Sequence, residues 1–142
     1  MATYLVTGGL GFISYHLCTA LQKKGHAVIA YDNYRNGVYS EKNATKLSSQ
    51  GVQIVREDIG NIASQKLSSI DGIFHLAAIP RVAYSIENPV ETNKTNVEGT
   101  IQVLEFARAN SIPKIVFASS SSVYGDAPAP FIETAPSHPM SP

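Results

Sequence analysis

Short apolar runs recur along the chain, with amphipathic stretches between them. Tyr4-Leu5-Val6 leads into a glycine-rich turn. Val28-Ile29-Ala30-Tyr31, Val52-Gln53-Ile54-Val55, Gly72-Ile73-Phe74-His75-Leu76 and Lys114-Ile115-Val116-Phe117-Ala118 follow in order. Continuous apolar runs suit strands covered on both faces, the mark of a parallel sheet. Between the first two runs, Ile13, Leu17, Ala20 and Leu21 recur at helical spacing. Lys23 and Lys24 fall in the last turn of that helix, and Gly25 stops it. Farther on, Asn88 reads as an N-cap, Pro89 as the first helical residue and Glu91 as the end of a capping-box-like pattern. The helix they open is predicted to run through Val97, Ile101, Leu104 and Ala107 to about Asn110. Weaker helices are predicted from Ser40 to Gln50 and from Ile62 to Ser69. Strand and helix thus alternate, which predicts an α/β fold with right-handed crossovers.

The character changes at Asp126. Pro128, Pro130, Pro136, Pro139 and Pro142 are too dense for a helix or a central strand. The segment reads either as a disordered tail or as a long active-site loop. We therefore divide the chain into a domain over 1–125 and a proline-rich loop over 126–142.

Composition narrows the function classes. With 142 residues the chain is one domain. Lys plus Arg total 11 and Asp plus Glu total 11, so no net charge draws the chain to nucleic acid or an anionic membrane. Cys18 is the single cysteine, which excludes an internal disulfide. It falls on an apolar helix face and reads as a buried structural residue rather than a reactive thiol. No apolar run reaches the ~18 residues of a membrane span. The opening residues enter a strand directly, without a charged leader, so a soluble cytoplasmic protein is expected. Asn43-Ala44-Thr45 and Asn93-Lys94-Thr95 match glycosylation acceptors by accident in that setting. The four histidines have no ligand-like spacing to one another or to acids, so no metal is expected.

The chemistry begins at Thr7-Gly8-Gly9-Leu10-Gly11-Phe12-Ile13-Ser14, after the first strand and opening a helix. Glycines here permit unusual backbone angles and let a pyrophosphate approach bare amides at a helix N-terminus. An acid about 20 residues on would take the ribose hydroxyls. Asp32 lies 21 residues after Gly11, at the end of the second predicted strand. Strand, turn, helix, strand and acid together predict a Rossmann-type doubly wound sheet, order 3-2-1-4-5, and a dinucleotide ligand. The Asp32 carboxylate would repel a 2′-phosphate, which favours NAD over NADP. Arg35, three residues on, is a cation that could favour NADP instead.

The segment from Thr7 to Leu17 resembles the TGGxGFIGxHL opening of the extended short-chain dehydrogenase/reductases. Three more segments agree in order: Glu57-Asp58-Ile59, His75-Leu76-Ala77-Ala78 and Ser119-Ser120-Ser121-Ser122-Val123-Tyr124-Gly125. They resemble the family's adenine-contacting acid–hydrophobe pair, its HLAA strand end and its SSxxVYG segment. The resemblance spans the chain and is with the nucleotide-sugar epimerase branch. It implies NAD contacts at Gly8, Gly11, Phe12, Ile13, Asp32, Asn33, Asp58, Ile59, Leu76, Ala77, Ala78 and Asn96. Two departures stand out. Ser14 occupies the third glycine position, where its side chain would push strand and helix apart or reach a phosphate. Pro80 stands where many relatives carry a polar residue.

The resemblance further implies that Ser120, four residues before Tyr124, bonds the reacting sugar hydroxyl. Ser121 and Ser122 stand where sugar dehydratases carry acids, which points to an epimerase of the UDP-sugar 4-epimerase type, oxidising its substrate with NAD and returning the hydride. Arg81 and Ser85 are candidate substrate contacts or solvated loop residues. The family's catalytic Tyr-x-x-x-Lys does not occur in these residues. The resemblance would place it just beyond Pro142, so the sheet is expected to be incomplete at its C-terminal end, the chain truncated and turnover absent. A homo-oligomer is expected, because Val97, Ile101 and Leu104 would lose the cover of a neighbouring helix. The alternatives are a dinucleotide-binding regulatory or interaction module, or another oxidoreductase of the same superfamily.

Overall fold

The computed structural model describes residues 1–67 and 69–141. Five parallel strands form one sheet: β1 (Thr3–Thr7), β2 (Ala27–Asp32), β3 (Gln53–Arg56), β4 (Gly72–His75) and β5 (Ile115–Phe117). Their order is β3-β2-β1-β4-β5, as the alternating pattern predicts. Thr7 lies at the C-terminal edge of the sheet, in register with Tyr31 on one side and His75 on the other.

Successive strand residues point to opposite faces, and each face buries its own core. Val6, Val28 and Ala30 pack with Leu10 and Cys18 beneath α1 (Phe12–Lys23), and with Ala44 and Leu47 of α2 (Val38–Ser49). Leu5, Ile29, Tyr31 and Ile73 pack on the other face with a long helical segment and with Ile59 and Ile62. The cysteine is buried in the first core, and burial pushes its thiol up to about 12, so it is uncharged at neutral pH.

The second predicted helix divides in a way the capping pattern does not foresee. After α3 (Val82–Glu87) come α4 (Pro89–Asn93), a π-turn over Lys94–Glu98, and α5 (Gly99–Ala109). Asn88 does not cap α4 with its side chain. Its backbone N–H donates to the Tyr84 carbonyl at 2.8 Å, closing α3, and its Nδ2 faces the same oxygen at 3.4 Å. Glu91 is drawn instead to Arg35 and Tyr84, so the capping box never forms. The buried stripe of α5 is Gly99, Val103, Phe106 and Ala107, while Val97, Ile101 and Leu104 form an opposite stripe about half exposed. Gly99 matters here: a Cβ at that position would sit 2.5 Å from Ile59 Cδ1.

The weaker helices also shift. The first covers Val38–Ser49, and the second is a 3-10 turn over Ile59–Ser64, three residues earlier than predicted. Asp58 explains that start, since its side chain accepts the Gly60 amide and caps the turn. Ser68, inside the predicted Ile62–Ser69 helix, and Pro142, in the predicted loop, lie outside the described residues. From Asp126 to Ser141 the chain has turns but neither helix nor strand. It folds back on itself: His138 N–H donates to Val123 O at 2.8 Å, and Phe131 stacks on Tyr124 with ring centroids 4.7 Å apart.

Candidate functional site

The site is built at the C-terminal edge of β1, β2 and β4. Gly8 has φ +63°, and a Cβ there would lie 2.9 Å from the Ala77 Cα and backbone nitrogen. A Cβ on Gly9 would lie 2.7 Å from Ala30. The glycines therefore let the turn nest between the ends of two neighbouring strands. That packing role is additional to the backbone freedom expected of them, and only Gly8 of the three has a positive φ. Gly11 then begins α1 in extended geometry. The first backbone bond of that helix runs from Tyr15 N–H to Gly11 O. The amides of Phe12 and Ile13 precede it and find no acceptor among the described residues, and both side chains are exposed. Unpaired amides at the positive end of a helix suit a phosphate. Ser14 is buried in the first turn of α1, with its oxygen on the Gly11 side.

Asp32 closes the turn from the β2 side. Its Oδ2 accepts the Leu10 amide at 3.1 Å and its Oδ1 accepts the Tyr34 amide at 2.8 Å. Burial raises the carboxyl above its ordinary value, and the two amides oppose that rise. Sequence reasoning expects Asp32 to be a ribose ligand and misses this anchoring of the glycine turn. Beside it, Asn33 donates from Nδ2 to Asp58 Oδ2 at 2.8 Å, joining the loops after β2 and β3. The Ile59 side chain is buried in the core rather than exposed in that loop.

On the β4 side a buried chain of hydrogen bonds can be assigned donor by donor. Thr100 Oγ1 donates to the Asn96 carbonyl at 2.7 Å. It must then accept from His75 Nε2–H, at 2.9 Å. That tautomer leaves His75 Nδ1 as an acceptor for the Thr7 hydroxyl at 2.6 Å. Thr7 Oγ1 in turn lies within reach of the Leu76 and Ala77 amides. Burial lowers the His75 pKa, so the ring is neutral at neutral pH. Asn96 completes the frame: its amide group accepts from Ile79 N–H at 2.8 Å and donates to Ile79 O at 3.0 Å. Its side chain thus holds the Leu76-Ala77-Ala78-Ile79 segment. Leu76 and Ala77 are half-buried, and Ala78 is exposed.

The candidate substrate residues come from the loops after β4 and β5. Arg81 is exposed at the start of α3. Ser85 is 2% exposed and its hydroxyl donates to Val82 O at 2.7 Å, so it is engaged within α3. Ser120, Ser121 and Ser122 are all exposed. Ser120 Oγ accepts the Ser122 amide at 3.1 Å, which leaves its own hydrogen free to donate.

A sequence profile of the NAD dependent epimerase/dehydratase family matches residues 4–142. The chain belongs to this family. NAD is the family's cofactor, and the free amides of α1 and the acid at the end of β2 fit it. Among relatives, UDP-glucuronate 4-epimerase 4 of Arabidopsis thaliana is 40% identical over 141 residues, covering 92% of this chain and 32% of that protein. The UDP-glucose 4-epimerase of Mus musculus is 31% identical over 89% of this chain and 40% of its own length. The UDP-glucuronic acid 4-epimerase of Bacillus cereus, solved with UDP-glucuronic acid and NAD, superposes with a TM-score of 0.88 at 34% identity. That match covers 98% of this chain and 46% of the Bacillus protein. The chain thus spans less than half the length of these relatives. No helix among the described residues is long and apolar enough to cross a membrane.

Proposed function

We propose that the chain binds NAD as the cofactor-holding part of a UDP-sugar 4-epimerase. The observation that carries this is the cradle itself: free amides at Phe12 and Ile13, with the Asp32 carboxylate fixed beside them by Leu10 and Tyr34. NAD supplies a reversible hydride acceptor. The chain's residues bind and orient it. The Gly8–Phe12 turn takes the pyrophosphate, Asp32 and Asn33 the adenosine ribose, and Asp58 with the backbone of Ile59 the adenine. Leu76, Ala77 and Ala78, held by Asn96, line the nicotinamide end. Ser120, with its hydrogen free, donates to the sugar oxygen that reacts and stabilises charge there. Arg81, Ser121 and Ser122 face the sugar nucleotide, and Ser85, buried within α3, supports that helix through its bond to Val82 O.

Calorimetric titration tests the cofactor half. NAD binds more tightly than NADP, and Asp32→Ala weakens NAD by about tenfold, the loss expected for bonds to a charged group. Equal affinities in the unmodified protein would overturn the reading. In the same proposal the 142 residues alone do not interconvert UDP-sugars, because a positioned base contributes ~10²–10⁴ in rate and no tyrosine here is followed four places later by lysine. Interconversion above a protein-free control contradicts that. The half-exposed stripe of Val97, Ile101 and Leu104 supports self-association, and a clean monomer in sedimentation at micromolar concentration argues against it.

A further inference from the structure

Arg35 is the cation closest in sequence to the ribose-binding acid, and its partners decide what it can do. A guanidinium beside this position is what a 2′-phosphate needs. Here the loop after β2 carries Arg35 away to the helices after β4. Its Nη1 pairs with Glu91 Oε1, and Glu91 Oε2 accepts from the hydroxyl of Tyr84. The guanidinium also lies over the Tyr84 ring, 5.2 Å from its centroid. The Arg35 amide donates to Asn33 Oδ1 at 3.1 Å, which shapes the loop toward that partner. Two interactions thus converge on one guanidinium, from residues 49 and 56 positions away in sequence. The other nearby cation, Arg56, pairs with Glu41 at 3.3 Å and lies over the Tyr34 ring. Asp32 is therefore left as the charge at the ribose position, with both guanidiniums turned to other carboxylates.

We infer that Glu91 determines dinucleotide specificity: with Tyr84 it holds Arg35 away from the place a 2′-phosphate would occupy. The inference rests on the cofactor reading above. Glu91 touches no part of the cofactor in this role and acts only through Arg35. The pairing is mutual, since Arg35 first and Tyr84 second hold the Glu91 carboxyl below its ordinary range.

The test is Glu91→Gln, which keeps the side chain's shape and removes its charge. Kd values for NAD and NADP are measured by calorimetry on the full chain, with Arg35→Ala and the double variant alongside. In Glu91→Gln, NADP binding tightens by about fivefold while NAD changes by less than about twofold, since the released guanidinium meets a phosphate only in NADP. The gain shrinks as salt rises. It disappears in the double variant, and Arg35→Ala alone leaves the NADP affinity as it was. A loop merely loosened by the substitution moves both dinucleotides together, and that result overturns the inference. So does an NADP gain that survives removal of Arg35. If the unmodified protein binds neither dinucleotide, the cofactor reading falls and this inference falls with it. If it prefers NAD and Glu91→Gln leaves the ratio unchanged, only this inference falls. Thermal unfolding of each variant confirms that the comparison is between folded proteins.

Discussion

The edge around β1, β2 and β4 differs sharply from the edge at β5. At the first, backbone and side chains interlock. Thr7, Asp32 and His75 are buried, and each makes side-chain hydrogen bonds to the strands, helix or turns around it. At the second, β5 has three residues, and Val116 and Phe117 are more than half exposed. The serines that follow are exposed and make one local capping bond. The cofactor cradle is thus preorganised by packing within the domain, while the serines proposed to meet the sugar lie open. Binding geometry that must not move is tied to the core, whereas residues that meet a substrate stay accessible.

The strongest test of that contrast places one substitution in both regions. Gly8→Ala and Gly125→Ala both force alanine into a positive φ, +63° and +59°. Both also create a clash, at 2.9 Å with the Ala77 backbone and at 2.1 Å with His138 O. The second contact is tighter, yet the expected order of cost is the reverse. Ala77 lies two residues past the ladder of β1 and β4, and its amide donates to Thr7 Oγ1, so Gly8→Ala costs about 4 kcal/mol from strain and overpacking together. His138 belongs to an irregular segment held to Val123 by one backbone bond. That segment can shift, which leaves about 1 kcal/mol for Gly125→Ala. Urea denaturation of both variants decides it. Equal losses would mean the tail is as firmly packed as the cradle.

His75→Ala comes next. It removes a ring that accepts from Thr7 and donates to Thr100, and leaves both hydroxyls short of a partner in a buried space. About 2–3 kcal/mol is expected in the same denaturation experiment. A loss under about 0.5 kcal/mol, the size usual for surface positions, would show that the chain of bonds contributes little.

The same histidine sets a pH dependence. Its folded pKa is lowered by burial, so between that value and the unfolded value of about 6.5 the unfolded chain binds more protons. Stability therefore holds above about pH 6.5 and falls as pH drops below it. Asp32 works in the opposite sense. Its raised folded pKa means that the folded state gains on acidification, from the folded value down toward the ordinary carboxylate range. Denaturation midpoints between pH 7.5 and pH 5.5 should fall for the unmodified protein and flatten in His75→Gln. Identical slopes would remove His75 from the account.

The contrast also marks how far the sequence could be read. Strand order, the glycine turn and the place of Asp32 at the end of β2 were legible because each rests on local pattern: apolar period, turn residues, and an acid at fixed spacing. The side-chain partnerships were not. Thr7 and His75 are 68 positions apart, and Arg35 and Glu91 are 56 apart. Nothing in either local window distinguishes a paired residue from a solvated one. The capping box failed for the same reason. Asn88 and Glu91 have the right spacing, but α3 ends at Asn88, and Arg35 with Tyr84 takes Glu91. Ser85, expected on a loop, lies instead within a short helix and is buried. Proline density made the absence of helix and strand from Asp126 to Ser141 legible, though the way Phe131 and His138 fold back on the Ser121–Tyr124 turn was not.

The smallest expected effect is at Ser120, and it is the one that separates holding a cofactor from the chemistry proposed for that serine. Its side chain is exposed and accepts one amide, from Ser122 two residues on. An exposed cap of this kind on a four-residue turn has no helix of consequence to support. Ser120→Ala should therefore shift the folding free energy by less than about 0.5 kcal/mol. It should also leave the NAD Kd unchanged, because the Ser120 side chain makes no bond to Thr7, Asp32, His75 or Asn96. Denaturation and calorimetry on the same preparation check both statements. A loss above 1 kcal/mol, in the range of a well-formed cap, would mean that the serine run is structural. Weaker NAD binding would mean that the two edges of the sheet are coupled, and that the open edge at β5 takes part in holding the cofactor as well as in the sugar contact proposed for it.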